Sequence, residues 1–189
     1  MPDPDWWQAL WPNPRDALRK LGIQEGDVVA DLCCGDGYFT QALAELTGAE
    51  TFAVDLDPDQ LAAAQSRGSS GRVTWLLGDA REIDVLMPDP VDAVLMANTF
   101  HGVPEPTELS GAVARALTPD GRFIVVNWHA RPREETPVLG EPRGPATGLR
   151  LSPAALDALV APAGFTRETV IELPPYHYGT VFRKSEARA

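Results

Sequence analysis

Cysteine is nearly absent from this chain: there are only two, and they are neighbours, Cys33 and Cys34. Two cysteines cannot build a disulfide framework, and a bridge between adjacent residues is strained, so reduced thiols are expected. Long apolar runs are also missing. None approaches the roughly 18 residues needed to cross a bilayer, which argues against membrane insertion. The opening Met1-Pro2-Asp3-Pro4-Asp5 lacks the charge and apolar stretch of a secretory signal, and the chain reads as cytoplasmic. Basic charge is scarce too: 16 Lys and Arg face 27 Asp and Glu, for a net charge of −11. Phosphate binding depends on Lys and Arg, so this balance argues against nucleic acid and against an anionic membrane surface. Local positive charge is confined to Arg131 and Arg133 and to Arg183, Lys184 and Arg188. Internal repeats are absent. The length of 189 residues suits one domain spanning 1–189, and a small-molecule partner is the expectation. No pattern fixes an oligomeric state.

What is present is alternation. Apolar strand candidates Val28–Leu32, Thr51–Asp55, Val73–Leu77, Ala93–Ala97 and Arg122–Trp128 are separated by helical patterns. Tyr38–Leu46 repeats apolar residues at helical spacing. Asp57-Pro58 is an N-cap followed by proline at the first helical position, opening a helix to about Arg67. A further helix carries Leu109, Ala112, Val113, Ala116 and Leu117 on one face, and Thr118–Gly121 has turn chemistry. Residues 27–129 thus form an α/β core: a Rossmann-like, doubly wound, mostly parallel sheet. Residues 130–151, rich in proline and glycine, read as a long loop of the kind that forms lids. Ser152-Pro153 caps a last helix within 152–189, followed by an antiparallel strand pair, Thr166–Leu173 and Tyr176–Arg183. At the other end, residues 1–26 hold Trp6, Trp7 and Trp11 ahead of a helix starting at Asn13-Pro14, positioned to lie over the binding edge.

Ligands in such sheets bind beyond the carboxyl ends of the strands. The end of the first strand reads Asp31-Leu32-Cys33-Cys34-Gly35-Asp36-Gly37, and its glycines allow a tight turn and a close ligand approach. Asp55 ends the second strand, where a carboxylate accepts from both ribose hydroxyls of an adenosine. Asp79, after the third strand, can accept from an adenine amino group; Asp57, the rival acid, belongs to helix capping. A nicotinamide-dependent oxidoreductase shares the first turn and the second-strand acid, but its fingerprint needs a third glycine where Thr40 stands. Asp31 would also repel a pyrophosphate, whereas it suits the cationic amino acid tail of S-adenosylmethionine.

Together with Gly78-Asp79-Ala80 and Pro119-Asp120-Gly121-Arg122-Phe123, these motifs resemble the class I S-adenosylmethionine-dependent methyltransferases over about Asp27–Trp128. The Leu-Cys-Cys-Gly run looks most like the ubiquinone/menaquinone C-methyltransferases. The Pro-Tyr-His-Tyr-Gly tail resembles a set of small uncharacterised prokaryotic methyltransferases. The resemblance implies that Asp31 and Gly35 hold the donor's methionine part, Asp55 the ribose and Asp79 the adenine. Cys33, Gly37, Leu56, Ala80 and Asn98 complete the expected donor set. Many family members carry glycine where Cys33 stands.

On the acceptor side, Asn98 is expected to orient a nucleophile and His101 to remove its proton, its imidazole being poised near neutral pH. His177 is a second catalytic candidate, and His129 and the Tyr176–Tyr178 run are weaker ones. Trp6, Trp7, Trp11 and Trp128 suit an apolar pocket wall, or else anchor the terminus. The cysteines and three histidines match no zinc spacing, so no metal is expected. A protein that binds the donor without chemistry is the remaining alternative.

Overall fold

Every second residue of the central strands goes to a different layer of helices, and this parity organises the molecule. A computed structural model describes residues 4–68 and 71–184; Met1, Pro2, Asp3 and Arg188 lie outside the described residues. The strands are β1 (Val29–Leu32), β2 (Thr51–Asp55), β3 (Val73–Leu77), β4 (Val91–Ala97), β5 (Leu117–Trp128), β6 (Pro137–Val138), β7 (Glu141–Pro142), β8 (Phe165–Leu173) and β9 (His177–Lys184). The helices are α1 (Pro4–Leu10), α2 (Pro14–Lys20), α3 (Tyr38–Thr47), α4 (Pro58–Ser66), α5 (Ile83–Leu86), α6 (Pro106–Ala116) and α7 (Pro153–Val160). None is long and apolar enough to cross a membrane.

The main sheet has the order β3-β2-β1-β4-β5-β9-β8. Strands β1 to β5 pair in parallel; β9 is antiparallel to both β5 and β8, so β8 runs with the parallel strands and β9 alone opposes them. Ala30 and Leu32 face a core with α5, α6 and α7. Val29, Ala93, Leu95 and Ile124 face the other core, built with α1, α2 and α3. Because the chain leaves β1 toward β2 and returns to β4 on the other side, the loops after β1 and β4 diverge and open a crevice.

Local signals account for most element ends. Asp57 accepts from Asp59 N–H and Gln60 N–H at the start of α4, and Ser152 accepts from Ala155 N–H at the start of α7. The Thr118–Gly121 turn falls within β5, as the irregularity where pairing passes from Val91–Leu117 to Ala93–Arg122. Two features depart from the sequence reading. An additional short helix, α1, carries Trp6 and Trp7 ahead of the expected α2; too short to show a period, it is held by indole packing rather than by propensity.

The other departure is the 130–151 segment, which is a folded flap rather than a structureless loop. It contains a 3-10 turn at Arg133–Glu135, the β6–β7 hairpin and a second turn at Thr147–Leu149. Its centre is the nearly buried Arg150, which donates to Pro145 O, Arg143 O and Thr136 Oγ1 and lies 5.0 Å over the Trp128 ring. Gly144, with φ of 85°, rests on the other indole atoms of Trp128, where a Cβ would come within 2.6 Å of Cε2.

The N-terminal layer is fastened at two points. Arg122 on β5 pairs with Asp27 at 2.6 Å and donates to Gly22 O, tying the turn after α2 to the sheet. Gly179 on β9 lies beneath Leu21, which is itself buried; a Cβ at 179 would stand 2.1 Å from Leu21 Cδ2. Gly179→Ala is therefore expected to destabilise the fold by about 1–3 kcal/mol through overpacking, read as a lower midpoint in urea unfolding.

Candidate active site

The site grows from the end of β1. Asp31 shares the face of Val29, so its side chain points under α3, where Thr40 Oγ1 donates to its Oδ2 at 2.6 Å. Asp31 is 2% exposed. Burial raises its carboxyl to about 7, aided by the charges of Asp55 and Asp36 and opposed by the Thr40 hydrogen bond. The position where a dinucleotide turn would place its third glycine is thus occupied by a hydroxyl that holds an acid.

The turn that follows is sharp. Gly37 N–H donates to Cys34 O and Cys34 N–H to Val54 O, so the loop continues the sheet's hydrogen bonding. Gly35 and Gly37 have φ of 54° and 77°. Cys33, with φ of 55°, is left-handed as well, at a cost of roughly 1–2 kcal/mol for a residue with a Cβ. This conformation explains why glycine is natural there. Burial, followed by the charges of Asp55, Asp31 and Asp79, pushes the Cys33 thiol up to about 12. Cys34 is raised further by burial and by Asp31, so both thiols stay protonated near neutral pH.

Asp55 bridges two loops: its Oδ2 accepts from Gly35 N–H at 2.7 Å and its Oδ1 from Asp57 N–H at 2.9 Å. Asp79 caps the turn Ala80–Glu82 and is gripped by Arg81, whose Nη2 lies 2.6 Å from Oδ2. Those hydrogen bonds hold its carboxyl below the usual range. Nothing in the sequence pattern signalled Arg81, which neutralises the acid closest to the third strand.

Two cavities meet at this edge. One encloses about 440 Å³ between Asp55, Leu56, Gly78, Asp79 and Ala80, a size typical of small-molecule sites. Leu56 is 69% exposed at its rim. The other encloses about 200 Å³ between Trp6, Trp7, Phe39, Trp128, Asp31 and Pro145. Cys33, Asn98, Thr99 and His101 line both and form the neck between them. Asn98 also has positive φ, 62°, and its amide Oδ1 and Nδ2 are buried with no partner among the described residues. A strained residue with unanswered polar atoms marks a ligand contact more often than a structural one.

His101 is half-buried at the neck; burial, then the charge of Arg150, lowers its pKa, leaving a neutral imidazole near pH 7. His177 is not brought to the site. It is fully buried between Trp128 and Trp11, with ring centroids at 4.1 and 4.5 Å, and lines neither cavity. The reason is parity on β9, which turns its side chain under the indole layer. His129 pairs with Glu172 at 2.9 Å outside both cavities, and Tyr178 donates to Leu151 O. Trp6, Trp7 and Trp128 form cavity wall, whereas Trp11 lies behind them with its carbonyl accepting from Tyr38 Oη at 2.5 Å.

Comparison with known proteins agrees with this geometry. A family model described as a methyltransferase domain matches residues 29–121. The ubiquinone biosynthesis O-methyltransferase of Xanthomonas oryzae pv. oryzae (strain PXO99A) is 29% identical over 138 residues, covering 67% of this chain and 57% of that protein. Its counterpart in Xylella fastidiosa (strain M23) is 30% identical over 131 residues, covering 64% and 53%. The chain therefore spans a little over half the length of these curated relatives. Among solved structures, an S-adenosylmethionine-dependent methyltransferase from Aquifex aeolicus superposes with a TM-score of 0.79 at 23% identity, covering 95% of this chain and 93% of that one. A strand order that opens its crevice at β1/β4, an acid rather than a pyrophosphate cradle at the first turn, and these matches agree: the chain belongs to the class I S-adenosylmethionine-dependent methyltransferases.

Proposed function

We propose that the chain transfers the methyl group of S-adenosylmethionine to a small-molecule acceptor. The observation that supports it best is the neck of Cys33, Asn98, Thr99 and His101, which joins an adenosine-sized cavity to a second, aromatic one. The residues present fit the donor chemically: Asp31 offers a buried carboxylate to its ammonium group, Asp55 offers acceptor capacity to the ribose hydroxyls, and Asn98 has a free amide at the neck. Gly35 and Gly37 let the backbone approach the methionine part. Leu56 covers one face of the adenine, while Asp79 and Ala80 lie at its edge. When bound, the donor supplies an electrophilic methyl group already activated by its sulfonium.

The chain's own residues then position and exclude. Asn98 and Cys33 fix the neck, the indoles keep water away from it, and His101 takes the acceptor's proton where the nucleophile carries one. The net charge of −11 supports a small acceptor over a nucleic acid. A nicotinamide dinucleotide fits poorly, because Asp31 and Thr40 stand where its pyrophosphate needs bare backbone.

Calorimetric titration should find binding of S-adenosylhomocysteine and none of NADH. Asp55→Ala is expected to weaken S-adenosylhomocysteine by about 10- to 100-fold, the loss of charge-assisted hydrogen bonds; unchanged affinity removes Asp55 from the site.

The raised Asp31 carboxyl sets two pH dependences. In the donor-free protein the unfolded chain ionises near 3.8 and the folded one near 7, so this group's contribution is lost as pH rises between those values. Asp31→Asn should match the wild type near pH 4 and exceed it near pH 8 by about 2–4 kcal/mol in urea unfolding. Wild-type affinity for S-adenosylhomocysteine should fall as pH drops below 7, with proton release on binding, and the asparagine variant should be flat. His101→Ala should lower turnover with donor affinity kept within about twofold, while wild-type turnover declines only below the ordinary histidine range. Full turnover by the alanine variant at every pH removes the base.

A further inference from the structure

The chemistry of the second cavity's wall narrows the acceptor, given the donor placement proposed above. Three indoles, Trp6, Trp7 and Trp128, enclose it with Phe39. Trp6 and Trp7 are stacked, 5.0 Å apart with planes 5° from parallel, and Trp6 meets Trp128 at 6.1 Å. An apolar cavity of roughly 150 Å³ admits a benzene ring. At about 200 Å³, part of it facing Asp31 and so given to the donor's tail, this cavity has room for one substituted ring.

Indoles beside carboxylates ordinarily invite a cation. Here the charges oppose one. Arg143 lies 5.7 Å over Trp6 and Arg150 5.0 Å over Trp128, so guanidinium groups already occupy faces of both rings. Asp36 is paired with Arg67 at 2.9 Å, and Asp31 is held by Thr40 and matched by the donor's ammonium group. The donor's own sulfonium adds a further positive charge at the neck. A second cation would meet like charge on three sides. His101, kept neutral at the same neck, instead favours a nucleophile that arrives protonated.

We propose that the second cavity takes a small, single-ring aromatic acceptor without positive charge, whose hydroxyl group points at His101. The hydroxyl oxygen bonds to the methyl carbon, and the carbon–sulfur bond breaks with its electron pair left on sulfur. The hydroxyl proton passes to His101 and from there to solvent. The products are a methyl aryl ether and S-adenosylhomocysteine.

The test titrates catechol, cyclohexanol and benzyltrimethylammonium into the wild-type protein saturated with S-adenosylhomocysteine. Catechol should bind at least about tenfold more tightly than either of the others. Trp6→Leu should weaken catechol about tenfold without changing S-adenosylhomocysteine affinity, and Trp6→Phe should restore most of the loss. With S-adenosylmethionine in place of the product, mass spectrometry should find the methyl ether of catechol. Absent catechol binding, equal binding of cyclohexanol, or tighter binding of the ammonium probe overturns the proposal. Failure of S-adenosylhomocysteine to bind at all overturns the donor reading instead. The wild-type panel decides by itself if the leucine variant does not fold.

Discussion

A carboxylate sealed at the end of the first strand, with no cationic partner among the described residues, is the constraint on which the site depends. Asp31 is held there by one hydroxyl, Thr40, and the neighbouring acids Asp36 and Asp55 make its ionisation harder still. An uncompensated buried acid is a cost to the free protein, and it is repaid only by a ligand that brings positive charge to that point. The same hydroxyl closes the route for a dinucleotide. One side-chain pair therefore both attracts the donor and rejects its main competitor.

Around that point the backbone is strained on both sides of the crevice. Cys33 after β1 and Asn98 after β4 are both left-handed, and they face each other where the strand order reverses. Such conformations persist only where surrounding structure over-determines them. Here hydrogen bonds from Cys34 N–H to Val54 O and from Asn98 N–H to Val126 O extend the sheet into both loops. The rigid sheet thus holds the neck, while the softer cover comes from elsewhere. Helix α1 and the 130–151 flap meet over the neck through indoles: Arg143 on Trp6, Arg150 and Gly144 on Trp128. This cover rests largely on stacking and on backbone carbonyls gathered by one guanidinium, contacts that can part and re-form without unfolding the sheet.

Much of this was legible from the chain alone, for local reasons. Asp57 and Ser152 cap helices because the side chain two or three residues before a free N–H can reach it. The acids at the ends of β1, β2 and β3 were visible because each follows an apolar run that has to be a strand. Less legible were the groups whose role depends on what lies opposite. Arg81 neutralises Asp79 and Arg150 organises the flap, and neither follows from its neighbours in sequence. His177 looked like a catalytic group by residue type, yet the pleat of β9 turns it under Trp128.

The sequence by itself determined the alternation of strands and helices, the tight turn after Asp31 and the succession of strand-end carboxylates, since periodicity, glycine geometry and capping act over a few residues. Only the tertiary structure decided which face each side chain took, which acid was already paired, and which histidine reached the neck. Those outcomes depend on register and on packing between elements far apart in the chain, where a shift of one residue sends a side chain to the opposite layer.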